Sequence, residues 1–153
     1  MSSTSARGLP PLSRENMEHF LAARVADYMT SPVMTLAPGA TLAEIERQFA
    51  AFDFNAFPVL EDGDLAGMVT KFDALKVFLA TSHAGIRGAD EVASLTAAEI
   101  MTRDVITFPP LAPLTRVLQT LVDFRVKSFP VVDARRVVGI IARNDLVRAL
   151  RQK

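Results

Sequence analysis

The alternation of apolar and polar positions runs through the chain twice. Offset by 72 residues, "YMTSPVMTLAPGATL" from Tyr28 lies over "IMTRDVITFPPLAPL" from Ile100, and "FPVLEDGDLAGMVTKFDAL" from Phe57 lies over "FPVVDARRVVGIIARNDLV" from Phe129. The overlay needs no gap from Met29 to Leu75, and thirteen of its positions are identical, among them Met29/Met101, Thr30/Thr102, Pro58/Pro130, Gly67/Gly139 and Asp73/Asp145. Self-similarity at a fixed offset marks a duplicated unit.

Each copy predicts the same elements. Leu42, Ile45, Phe49 and Phe52 recur at helical spacing, as do Leu114, Val117, Leu121 and Phe124, so each copy carries an amphipathic helix. Two short apolar strands follow, "FPVL" and "LAGMVT" around the turn "EDGD" in the first copy, "FPVV" and "VVGIIA" around "DARR" in the second. A second helix follows each strand pair, over Phe72 to Leu79 and Asn144 to Leu150. The unit is extended segment, helix, strand, strand, helix. One such unit buries little on its own, whereas two packed together share a core. Ahead of the repeat, "LSRENMEHFLAARVADYM" has a capping serine at Ser13 and apolar residues at Met17, Phe20, Leu21 and Val25, which predicts an N-terminal helix. The expected organisation is a loose N-terminus over 1–12, the helix and first copy over 13–81, a linker over 82–96 and the second copy over 97–153.

Composition narrows the function. The absence of cysteine excludes a disulfide framework, thiolate-held metal and a thiol nucleophile. The longest apolar runs, such as "VVGIIA", are far too short to span a bilayer, and the start lacks the apolar core of a signal peptide, so a cytoplasmic protein without a membrane partner is expected. No GxxxxGK[ST], GxGxxG or HExxH motif occurs, and the two histidines, His19 and His83, have no spacing that makes a metal set or a triad. An enzyme is therefore not expected. The formal charge is zero overall, yet residues 1–100 hold 7 basic and 13 acidic groups while 101–153 hold 10 and 4. This asymmetry fits an anionic ligand near the second copy, a nucleic-acid face, head-to-tail pairing of chains, or a solvated surface.

The doubled pattern "MT…V.T..P…L" and "FPV…G.(V/I)…D" resembles the CBS domain pair, or Bateman module, over roughly Val25 to Arg151. The resemblance implies an α/β (α+β) fold of tandem β-α-β-β-α motifs packed about a pseudo-two-fold axis, here with an N-terminal helix, leaving two clefts between the copies. It also implies a regulatory rather than catalytic role. The ligands would be adenine-containing, AMP, ADP, ATP or S-adenosylmethionine, with magnesium only alongside ATP. Energy sensing, a homodimer and a separate regulated protein as partner go with that role.

"GMVTKFDAL" carries the sharpest chemical question. Thr70 and Asp73 fit the [ST]-x-x-[DE] capping box ahead of an apolar helix, and alone they read as a helix start. The same groups suit a nucleotide. An exposed carboxylate accepts both hydroxyls of a ribose, and a hydroxyl at a helix N-terminus reaches a phosphate oxygen. In the resembled family this segment does that work, with Gly67, Thr70 and Asp73 matching. The second copy keeps Gly139 and Asp145 but has Ala142 in place of the hydroxyl, so one competent and one weaker cleft are expected. By the same resemblance, the cleft of Thr70 and Asp73 takes adenine walls from Thr102, Ile106, Val126 and Met68, with backbone at Val126 and Lys127 reading the base. The cleft of Asp145 uses Met34, Phe54 and Asn55, with Lys127 toward its phosphates. Arg125 and Arg143 are further phosphate candidates. Core packing is the simpler reading of Met34, Met68, Ile106 and Val126 taken singly. Two other functions stay open: a scaffold or dimerisation module without ligand, and, less favoured for want of a helix-turn-helix or stacking platform, a nucleic-acid-binding module.

Overall fold

The computed structural model describes residues 11–84 and 88–151. Residues 1–10, within the segment expected to be loose, and 85–87, within the expected linker, lie outside the described residues.

The first copy contains α3 (Leu42–Ala51), β1 (Ala56–Glu61), β2 (Asp64–Thr70) and α4 (Lys71–Ala84), preceded by α1 (Arg14–Ala22) and α2 (Val25–Tyr28). After α5 (Ala89–Ala93) and α6 (Ala97–Ile100), the second copy contains α7 (Leu114–Phe124), β3 (Ser128–Asp133), β4 (Arg136–Ala142) and α8 (Arg143–Arg151). Each helix-sheet unit begins as its sequence directs. Thr41 caps α3 by accepting from Glu44 N, while Glu44 returns a carboxylate to Thr41 N. β1 and β2 form one antiparallel hairpin and β3 and β4 another, in equivalent registers that pair Val59 with Gly67 and Val131 with Gly139. Both hairpins turn on two successive positive-φ residues, Asp62 and Gly63 in one and Ala134 and Arg135 in the other. The extended segment at the head of each copy contributes a single parallel bridge, Leu36 to Val59 and Phe108 to Val131, in place of a full strand.

What joins the copies is reciprocal exchange. Met68 and Thr102 donate to each other's carbonyls at 2.9 Å, and Thr30 and Ile140 do the same at 2.8 and 3.0 Å. The head of each copy therefore pairs with the second strand of the other. The same swap is repeated further back, where Leu42 N donates to Leu95 O and Leu114 N donates to Ala23 O. Ala23 and Leu95 are equivalent under the repeat, so α5, in the segment read as a linker, is the counterpart of α1. It is not passive connection, since its Val92 is buried with Leu42 and Ala74.

This exchange also corrects the N-terminal helix. One continuous helix is expected over the segment after Ser13, and Ser13 does cap α1 by accepting from Asn16 N. The helix ends at Ala22, however, and a second one starts at Val25. Between them Val25 N donates to Ala112 O and Arg24 bridges Pro113, so backbone pairing with the second copy replaces helix continuation. Phe20 and Val25 are buried as the apolar spacing requires, while Met17 and Leu21 are exposed.

The cores follow the swap. Phe20, Val25 and Tyr28 pack with Phe108, Leu114, Phe129, Val131 and Ile141, whereas Ala97 packs with Leu36, Ile45, Phe57, Val59 and Val69. Among the described residues no helix is long and apolar enough to cross a membrane.

Candidate functional site

The junction of the two copies encloses a cavity of about 700 Å³, within the usual range for small-ligand sites. Strand β2 ends at Thr70 on its wall and α4 begins at Lys71. That strand-to-helix corner is a complete capping box: Asp73 N donates to Thr70 Oγ1 at 3.0 Å, and Thr70 N donates to Asp73 Oδ2 at 2.9 Å. The cap uses one oxygen of Asp73. The other, Oδ1, accepts from Thr102 Oγ1 at 3.4 Å and pairs with Lys76 Nζ at 3.0 Å. Thr102 belongs to the second copy and is delivered by its backbone pairing with Met68. A carboxylate and a hydroxyl from opposite copies thus meet at one wall, with Met68, Ile106 and Val126 supplying apolar surface.

Ten of the thirteen ligand-contact candidates singled out from the sequence line this one cavity: Thr70, Asp73, Met68, Thr102, Ile106, Val126, Lys127, Asn55, Arg125 and Arg143. Two expectations change. Asp73, taken as an exposed carboxylate, retains only 4% of its accessible surface, because the capping bonds draw it against the strand end. Asn55 was expected beside Asp145 and Lys127 in both clefts, but both line the cavity of Thr70. The reason is local: Lys71 N donates to Asn55 O and Arg143 N donates to Lys127 O, so each sits at the corner of its own copy, near the axis relating the two.

Met34, Phe54 and Asp145 lie off the lining of this cavity. Phe54 packs against Phe57 with ring centroids 5.9 Å apart, and Met34 is partly exposed. Asp145 is buried; it accepts from Ala142 N at 2.8 Å and pairs with Arg148 at 3.3 Å. Ala142 has no hydroxyl to complete the reciprocal cap. Burial pushes the Asp145 carboxyl above its ordinary range, while the Ala142 N–H and the Arg148 guanidinium pull it back. Arg148 also donates to Tyr28 O at 2.8 Å and lies over the Tyr28 ring, so it is tied in place beside Asp145.

Sequence reasoning did not name Lys71, Phe72, Lys76, Asp104 or Val105, all of which line the cavity. Lys76 was findable, since it stands three residues after Asp73 on a helix, where side chains meet. Asp104 and Val105 carry no such local signal.

The family model for the CBS domain matches residues 25–80 and again 97–152, and the chain belongs to this family. Over 122 residues it is 31% identical to the CBS domain-containing protein YhcV of Bacillus subtilis, covering 80% of this chain and 81% of that one. The crystal structure of MJ1225 from Methanocaldococcus jannaschii matches with a TM-score of 0.77 at 28% identity, over 87% of this chain and 49% of that one. The chain thus spans about half the length of that relative. The CBS domain pair of MJ0100, solved in complex with 5′-methylthioadenosine and S-adenosyl-L-methionine, matches with a TM-score of 0.71 at 29% identity, over 83% of this chain and 94% of that one.

Proposed function

We propose that the chain is a regulatory module that binds an adenosine-containing ligand in the Thr70 and Asp73 cleft and signals its presence to a separate protein. The observation that carries this reading is the meeting of Asp73 and Thr102 from opposite copies on a cavity wall otherwise lined by Met68, Ile106 and Val126. Asp73 accepts the ribose hydroxyls, which replace Lys76 and Thr102 on Oδ1. The apolar walls take the adenine, and Thr70, whose cap uses only its oxygen as acceptor, still has a hydroxyl proton to donate to a phosphate. The complex of the related MJ0100 pair with two adenosine derivatives supports the ligand class. Because the ligand touches both copies, its binding favours one arrangement of the pair, by as much as its affinity differs between arrangements. Assembly as a homodimer is supported by apolar residues left exposed on α4 and α7, Phe72 and Leu75 on one and Leu118 and Val122 on the other.

Isothermal titration with AMP, ADP, ATP and S-adenosylmethionine, with and without magnesium, tests the reading on the parent, Asp73→Ala and Asp145→Ala. Binding that is lost in Asp73→Ala and kept in Asp145→Ala is the expected result. If Asp73→Ala binds as tightly as the parent the assignment is wrong, and if folded parent protein binds none of the four the scaffold reading takes its place.

A further inference from the structure

The residue three places after each aspartate treats the two corners differently. Lys76 and Arg148 are equivalent under the repeat, and each pairs with its own aspartate, at 3.0 Å to Asp73 and 3.3 Å to Asp145. Both side chains are 53% exposed, so access to water does not separate them. Their other contacts do. Lys76 meets Asp73 and lies 5.4 Å from the Phe72 ring, both on its own helix, and it lines the cavity. It leaves Asp73 by swinging toward water, at the loss of contacts within α4 alone.

Arg148 crosses instead to the head of the first copy, where Nη2 donates to Tyr28 O at 2.8 Å and the guanidinium lies 5.7 Å from the Tyr28 ring. Tyr28 is itself held in place. It is buried, its hydroxyl meets the His19 ring, and α1, which carries His19, is fastened to α8 by Asn16 Nδ2 donating to Leu150 O at 2.8 Å. The first corner lacks the side chains for such a clasp. The positions equivalent to Asn16, His19 and Tyr28 are Gly88, Glu91 and Ile100.

A carboxylate accepts a ligand's hydroxyls only by giving up donors already on it. At Asp145, Oδ2 accepts from Ala142 N and Oδ1 from Arg148. Displacing Arg148 also breaks its bond to a backbone carbonyl and lifts it from an aromatic face. A donor tethered on the same helix, moreover, competes at a high effective concentration. Asp145 accordingly lies off the lining of the cavity that Asp73 enters. Resting on the adenosine reading of the Asp73 cleft, we infer that Arg148 is an internal occupant of the second corner, holding Asp145 in place of a ligand, so that the pair is single-sited. The missing hydroxyl at Ala142 is then secondary, and it is Arg148, clasped through Tyr28 to α1, that keeps the corner shut.

The test is calorimetric stoichiometry of the full chain with AMP, ATP and S-adenosylmethionine in turn, on the parent, Ala142→Thr, Arg148→Ala and the double variant Ala142→Thr/Arg148→Ala. The parent and Ala142→Thr should each take one ligand per chain, since restoring the hydroxyl leaves Arg148 on Asp145. The double variant should take two, with first-site affinity within about twofold of the parent, as for independent sites. Thermal unfolding of each variant establishes that it is folded. Two ligands on the parent or on Ala142→Thr overturn the inference, as does one ligand on a folded double variant, and the adenosine reading stands in each case. A parent that binds none of the three fails the adenosine reading, and amide exchange then decides the clasp alone. Arg148→Ala should exchange at least about threefold faster than the parent in α2 and α8, the worth of a charge-assisted hydrogen bond on a half-exposed guanidinium, with α3 unchanged. Equal rates in α2 and α8 overturn it.

Discussion

Gly67→Ala attacks the joint between the copies at one atom. A Cβ at Gly67 would lie 2.7 Å from the Thr102 carbonyl oxygen and 2.7 Å from Met101 Sδ. The methionine can swing aside, but the carbonyl cannot, because it accepts from Met68 N in the reciprocal pair that carries Thr102 to the cavity. The cost has two parts. Overpacking of a tight contact costs about 1–3 kcal/mol, and loosening two backbone hydrogen bonds costs about 0.5–1.5 kcal/mol each. Against these stands a gain of about 0.4–1 kcal/mol from the stiffer unfolded chain. At the middle of each range the net loss is about 3 kcal/mol, which for a chain of this length lowers Tm by about 6–12 °C. Urea titration at fixed pH measures it, with Gly39→Ala as control, since a Cβ there meets nothing within 4 Å. Gly139→Ala should fall between the two: Met29 Sδ stands at 2.6 Å but the Thr30 carbonyl at 3.0 Å, so the flexible side chain absorbs more of the clash. Equal midpoints for Gly67→Ala and Gly39→Ala would refute the reasoning, and with it the view that close backbone approach dictates glycine in this strand.

Three further perturbations follow from the broken symmetry. Ala142→Thr restores the hydroxyl missing from the second corner, where Asp145 already accepts from residue 142, and should raise stability by about 0.5–1.5 kcal/mol in chemical denaturation; no gain means that the second corner cannot close its cap. Arg135 stands at φ 69° where the first hairpin has Gly63 at φ 84°, so Arg135→Gly should stabilise by about 0.5–1 kcal/mol, and a destabilised variant would show that the turn carries no strain. Asp145→Asn tests the buried carboxyl. Its folded pKa is raised above the ordinary 3.8 by burial, so above that pH the folded state binds more protons than the unfolded and stability contributed by this group falls as pH rises. The asparagine does not titrate and keeps an oxygen for the Ala142 N–H; its stability relative to the parent should therefore climb from about pH 4 toward neutrality, and a flat or opposite trend in denaturation at several pH values would exclude the burial effect.

The duplication, the four helices of the two copies and both hairpins were legible in the chain because their signals are local. Apolar spacing sets the buried face of α3 and α7, and the capping residues Ser13, Thr41 and Thr70 stand next to the groups they satisfy. The chemistry of Thr70 and Asp73 was legible for the same reason. No local pattern decides which copy each head segment pairs with, since Met68 meeting Thr102 is a choice between two equivalent partners; the family resemblance pointed to it, and the tertiary structure makes the pairing. From that exchange came the break at Ala23, the recruitment of α5 as the counterpart of α1, and the arrival of Asn55 and Lys127 in one cavity. It also set the electrostatics, bringing Arg125, Lys127 and Arg143 onto the cavity that Asp73 lines. Helix starts and strand alternation are written over a few residues, whereas pairing across an approximate two-fold axis joins residues far apart in the chain, Met68 with Thr102 and Thr30 with Ile140, and no local pattern encodes it.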